Sequence, residues 1–270
     1  MLIDLLLRLS HAPYFDHPVH SIDSILNDLD QHTSSRDELR LTARIKQFSI
    51  AGRIGEAHKL IHDLFALPGL RFSPFTKVQK RDEAAYINYE TALFYRNLND
   101  NTNYLNYLKI AKLFVLSPLL ELLIDYQFAT LAQGNQSERS QIKKFIDLFR
   151  EKNIPVLEIM ATFRLAEIYA AEADYKSAAQ IFSDARQLAS EISSTNLKIA
   201  AQSNLGYVLY LSGDYKLALS TFPSIDSSND YYQKCLILEN IALVHEALGD
   251  YQTALTFWME SLNIAQDHGV

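Results

Sequence analysis

Apolar, small and aromatic positions recur at fixed offsets in three segments of the chain. In the first, Leu165, Ala166 and Tyr169 are followed by Asp174, Tyr175, Ala178, Phe182 and Ala185. In the second, Leu205, Gly206 and Leu209 precede Gly213, Asp214, Tyr215, Ala218 and Phe222, and in the third Ile241, Ala242 and His245 precede Gly249, Asp250, Tyr251, Ala254 and Trp258. Each segment reads as two helices joined by a turn. Gly213 and Gly249 stand where a residue able to adopt positive φ can end the first helix, and the Asp that follows can cap the second. Ala178, Ala218 and Ala254 stand where the second helix approaches the first, and only a side chain about that small lets the two pack closely.

Gly-Asp-Tyr occurs twice at the turn and Glu-Ala-Asp-Tyr in the remaining copy, each Tyr followed three residues on by Ala. This pattern resembles the tetratricopeptide repeat. The resemblance implies an all-α fold, a right-handed superhelical solenoid of antiparallel helix pairs. Tyr175, Tyr215 and Tyr251 are spaced by 40 and 36 residues, longer than the family's unit of about 34.

Upstream, Gly52, Ala57, Ile61 and Leu64 repeat the offsets of Gly213, Ala218, Phe222 and Ile225, placing a helix pair at about 38–71. Over 84–116, Ala92, Tyr95, Leu108 and Ala111 are in register, but Tyr104 takes the slot of the small residue, so either that pair is splayed or the register differs. A degenerate pair at 118–152 keeps Gly134 at its turn and has Arg139 in the small slot. Pro118 and Pro155 punctuate helix starts, where proline is tolerated. The expected organisation is a helical cap with loops over 1–36, including a helix at about 21–31, degenerate pairs over 37–155 and three repeats over 156–270, all in one continuous solenoid. A loop over 68–76, rich in aromatics and proline, is expected to fold against the array or to meet a partner.

Composition narrows the class. Eight Gly and seven Pro leave few loops, and an apolar fraction of 48% is ordinary for a globular chain. Thirty-two acidic against 25 basic residues, a net charge of -7, argue against a nucleic-acid ligand. The basic clusters at 77–81 and 143–152 read as solvated helix faces. Residues 1–12 read as a helix rather than a signal peptide, and the longest apolar stretch, 113–124, is interrupted and too short for a bilayer, so no membrane span is expected. The single cysteine, Cys235, forms no internal disulfide, and a cytoplasmic or nuclear setting fits.

No phosphate-binding glycine loop and no nucleophile elbow occurs, and Cys235 reads as structural. His11, His17 and His20 cluster near the start. His58 and His62 stand four apart in His-Lys-Leu-Ile-His, which lacks the glutamate of a zinc hydrolase motif. Neither enzyme activity nor a cofactor or metal is expected.

The resemblance places Tyr207 and Tyr210 in the concave groove, lined by the first helix of each repeat. Asn204 and Asn240 occupy equivalent positions in consecutive repeats, with Arg164 one repeat earlier and Glu167, Glu239 and Glu246 nearby. A row of Asn, each with donor and acceptor, can hold a peptide by its backbone amides. The alternative is a merely solvated face. The lysines with which some members of this family clamp acidic chaperone tails are replaced here by Phe163, Ser203 and Glu239, so such a tail is disfavoured and a neutral or basic ligand expected, with Arg164 serving a carboxylate or carbonyl. The expected function is a protein-interaction scaffold or adaptor binding a peptide segment or partner subunit. The alternatives are a receptor for a short regulatory peptide, or a subunit of a large assembly such as a ubiquitin ligase. Trp258, Leu262 and Ala265 leave an apolar face on the last helix, through which two chains could dimerise or stack.

Overall fold

A computed structural model describes residues 36–50, 54–66, 78–131, 136–228 and 230–268. The segments 1–35, 51–53, 67–77 and 132–135 lie outside the described residues, and with them the expected cap, His11, His17, His20, the turns at Gly52 and Gly134 and the 68–76 loop. Every regular element among the described residues is helical. The chain divides into two compact units after Leu131.

The amino-terminal unit holds α1 (Arg36–Ile50), α2 (Ile54–Ala66), α3 (Val78–Asn97), α4 (Asn101–Phe114) and α5 (Pro118–Thr130). Helix α3 is its centre, and residues 83–92 are all buried. Polar groups on so buried a helix need partners. Asn88 and Thr91 donate to the Ala84 and Ile87 carbonyls four residues back, each at 2.8 Å, and Lys46 Nζ lies 3.0 Å from both oxygens of Glu90.

Tyr104 does not splay the pair formed by α3 and α4. It is 1% exposed, and its hydroxyl donates to Gln127 Oε1 on α5 at 3.1 Å, where Arg96 Nη1 also donates at 2.8 Å. The fully buried small residues Ala84, Ala85 and Ala92 stand on α3 instead, and the stacked rings of Tyr95 and Tyr107, 5.4 Å apart, join the two helices.

The carboxyl-terminal unit holds α6 (Gln136–Glu151), α7 (Pro155–Ala171), α8 (Tyr175–Glu191), α9 (Thr195–Leu211), α10 (Tyr215–Thr221), α11 (Tyr231–Ala247) and α12 (Tyr251–His268), with a short 3-10 turn, Ile225–Ser227, after α10. The expected pair at 118–152 is therefore parted, α5 belonging to the first unit and α6 to the second. Arg139, the large residue of the small-residue slot, pairs with Glu172, and its guanidinium lies 4.7 Å from the centre of the Tyr169 ring.

One turn recurs through both units. Asn99, Asn153, Ala173, Ser193, Gly213 and Gly249 all have positive φ, between 54° and 84°. In each the residue after it donates its N–H back to a carbonyl five residues earlier, as Asp174 does to Tyr169 at 2.9 Å, closing the last turn of the preceding helix. The following helix is capped by a side chain in several cases, Asp174 accepting from Ser177 N at 3.1 Å and Asp250 from Thr253 N at 3.2 Å. Ala178 and Ala218 are 0% exposed and Ala254 3%, at the contacts between paired helices. Gly206 lets Phe222 come close: a Cβ there would lie 2.5 Å from the ring.

Candidate functional site

The candidate groove lies between α7 and α9, the first helices of two successive pairs. Two turns of α9 put Asn204, Tyr207, Val208 and Leu211 on one face. Toward the end of α7, Glu167 stands beside the small residues Ala170 and Ala171. Together with Phe182 from α8 these line a pocket of about 370 Å³. Apart from Glu167, Asn204 and Tyr207, the lining residues are apolar. Tyr207 is 39% exposed, and its ring lies 5.8 Å from that of Tyr210, centroid to centroid.

Arg164 is held from within the protein. Its Nε and Nη2 donate to Glu138 Oε1 at 2.9 and 2.6 Å, and its Nη1 to Glu167 Oε2 at 3.2 Å. Glu138 is 0% exposed, so Arg164 supplies a positive partner to a buried carboxylate. Burial pulls the guanidinium's pKa down, but the bonds to Glu138 and Glu167 outweigh it and raise the pKa. Arg164 thus links the buried Glu138 to Glu167 beside the pocket.

The other four candidates are not among the residues lining this pocket. Tyr210 packs on the core of Ala218, Phe222 and Val244, with its ring 6.0 Å from Tyr215. Glu239 accepts from Ser261 Oγ of α12 at 3.2 Å. Asn240 is half-buried on α11, and Glu246 is exposed in its last turn. Glu138 was missed by sequence reading. The available signal was an acidic residue in the first turn of α6, which ordinarily means only favourable interaction with the helix dipole.

Chemistry elsewhere is sparse. Cys235 is buried, its thiol donating to the Ser261 carbonyl at 3.5 Å, and burial pushes its pKa up, away from reactivity. His58 and His62 are exposed on α2, and among the described residues no group of three or more His, Cys, Asp or Glu could hold a metal ion. Among them, too, no helix is long and apolar enough to cross a membrane.

The helix pairs, shared turn and small-residue contacts define a helical-hairpin repeat protein. A family model described as the Suppressor of spindle checkpoint defect 1 C-terminal domain matches residues 128–252. No curated protein matches. Among solved structures, a Rap protein complexed with Competence and Sporulation Factor is similar at a TM-score of 0.69 and 10% identity, over 99% of this chain and 77% of that one. NprR in complex with its cognate peptide NprX is similar at 0.67 and 16%, over 98% and 77%. Both are tetratricopeptide-like solenoids, and the chain shares their fold.

Proposed function

We propose that the carboxyl-terminal unit binds an extended peptide, or a peptide-like segment of a partner protein, in the groove between α7 and α9. The observation that carries this reading is the pocket itself, where Asn204, Tyr207 and Glu167 stand among apolar lining residues. Asn204 offers a donor and an acceptor to a peptide amide, the exposed Tyr207 takes a side chain or peptide plane, and Glu167 selects a neutral or basic residue. The structures of similar fold support it, since the Rap protein and NprR are each seen with a peptide factor. Adaptor and peptide receptor are two uses of this same groove. Replacing Tyr207 by the photo-crosslinking residue p-benzoylphenylalanine tests the reading. Illumination in native lysate should give a discrete crosslinked species, mapped to a peptide or one partner protein. Absence of any adduct there, with adducts formed from the same residue on the outer face of α12, would overturn it.

A second reading, a subunit of a larger assembly or a self-associating chain, rests on α12. Tyr251, Leu255, Met259 and Leu262 are each more than half exposed at successive helical spacings, a stripe that suits contact with another apolar surface.

A further inference from the structure

A second cleft, of about 690 Å³, opens on the carboxyl-terminal unit between α8 and α10. It uses a different face of α9, with Gln202, Leu205 and Leu209, and Ser212 just after the helix, in place of Asn204, Tyr207 and Leu211. The cleft exists because α10 is cut short. That helix has 7 residues, against 17 in α8 and 18 in α12. It stops at Phe222-Pro223, where proline bars continuation, and Gln202 Nε2 donates to the partly buried Thr221 carbonyl at 2.7 Å in place of the missing helical N–H.

The lining has a definite charge. It contains Lys176 and Arg186 and no Asp or Glu, in a chain whose net charge is -7. Of the acidic neighbours, Asp174 accepts from Ser177 N as the cap of α8 and stands near enough to Lys176 to feel its charge, and Asp184 on α8 accepts from Gln180 Nε2 at 2.8 Å. Between the two cations α8 contributes Ala179, Gln180 and Ser183, and α9 adds the apolar Leu205 and Leu209.

We propose that this cleft is a second binding site, taking an extended peptide segment with two carboxylates four residues apart and an apolar side chain midway. Lys176 and Arg186 stand ten residues apart on α8, about 15 Å at the helical rise. An extended chain advances about 3.3 Å per residue and turns alternate side chains to one side, so carboxylates at the first and fifth positions span about 13 Å facing α8. The third side chain shares that side and meets Ala179, between the two cations on α8, with Leu205 and Leu209 of α9 also in the lining. This goes beyond the groove between α7 and α9, which selects against acidic ligands through Glu167, and the two sites fail independently.

The probe is a fluorescein-labelled, end-capped peptide, Glu-Ser-Leu-Ser-Glu, titrated by anisotropy against the full chain and compared with Gln-Ser-Leu-Ser-Gln. The acidic probe should bind about tenfold more tightly, weaken as salt rises from about 0.05 M to about 0.5 M, and lose affinity severalfold on Lys176→Gln and on Arg186→Gln. An Asn204→Ala, Tyr207→Ala variant should bind it unchanged. Equal affinity for the two probes, indifference to both cation substitutions, or loss on the Asn204 and Tyr207 variant instead would overturn the proposal. So would displacement by inorganic phosphate as effective as displacement by unlabelled peptide, which would mark a simple anion site.

Discussion

At the scale of single residues, the turn decides much of the local stability. Gly213 and Gly249 sit at positive φ at no steric cost, but Ala173 adopts φ 60° in the equivalent place. A left-handed conformation costs an alanine roughly 1–2 kcal/mol, partly offset by glycine's greater freedom in the unfolded chain. Ala173→Gly should therefore stabilise the chain by about 0.5–1 kcal/mol in denaturant unfolding, while Gly213→Ala should do the reverse. The caps add a pH dependence. Asp174 is held below the ordinary carboxylate range by the Ser177 hydroxyl and N–H, and Asp250 likewise by those of Thr253. A depressed folded pKa means stability that is present above the unfolded value, near 4, and lost as pH falls through the folded one. Asp230 works in the opposite sense, because burial raises its pKa. The loss of stability below about pH 4 should shrink in an Asp174→Asn, Asp250→Asn variant, since asparagine caps as well without titrating. Asp-Tyr at three of these turns, preceded by glycine at two of them, was legible in the sequence. Asn99, Asn153 and Ser193 were not, because a short polar residue can adopt positive φ without advertising it.

Helix pairs are where small residues matter. Ala178, Ala218 and Ala254 were legible because nothing larger fits where two helices approach, and each is buried as expected. Gly206 is the extreme case: an added methyl would meet the Phe222 ring at 2.5 Å, inside a packed cluster. Gly206→Ala should cost about 1–3 kcal/mol, measured by thermal unfolding, and Gly206→Ala with Phe222→Leu should recover part of it. The upstream pairs were harder to read because size can move from one helix to its partner. Tyr104 fills the slot on α4 while the alanines stand on α3, and a search for small residues at fixed offsets does not see the exchange. The length of α10 was also hidden. Phe222 fits the repeat pattern, and only Pro223 directly after it marks the early stop that opens the second cleft.

Over the whole molecule, the helical-repeat architecture was legible because local periodicity specifies each hairpin, whereas the division after Leu131 depends on long-range contacts that no local pattern encodes. The groove was legible in part for the same reason. Asn204, Tyr207 and Glu167 converge because they lie on first helices of adjacent pairs, but side-chain chemistry redirects the rest. Arg164 turns to the buried Glu138, Glu239 to Ser261, and Tyr210 into the core. The most direct test of peptide binding in this groove is affinity capture from native lysate with mass spectrometry, comparing wild type with an Asn204→Ala, Tyr207→Ala variant of unchanged helical circular dichroism. The groove reading requires that one major peptide or partner present with wild type disappears from the variant. An identical set of captured species from both would contradict it, and would shift attention to α12 and the cleft between α8 and α10.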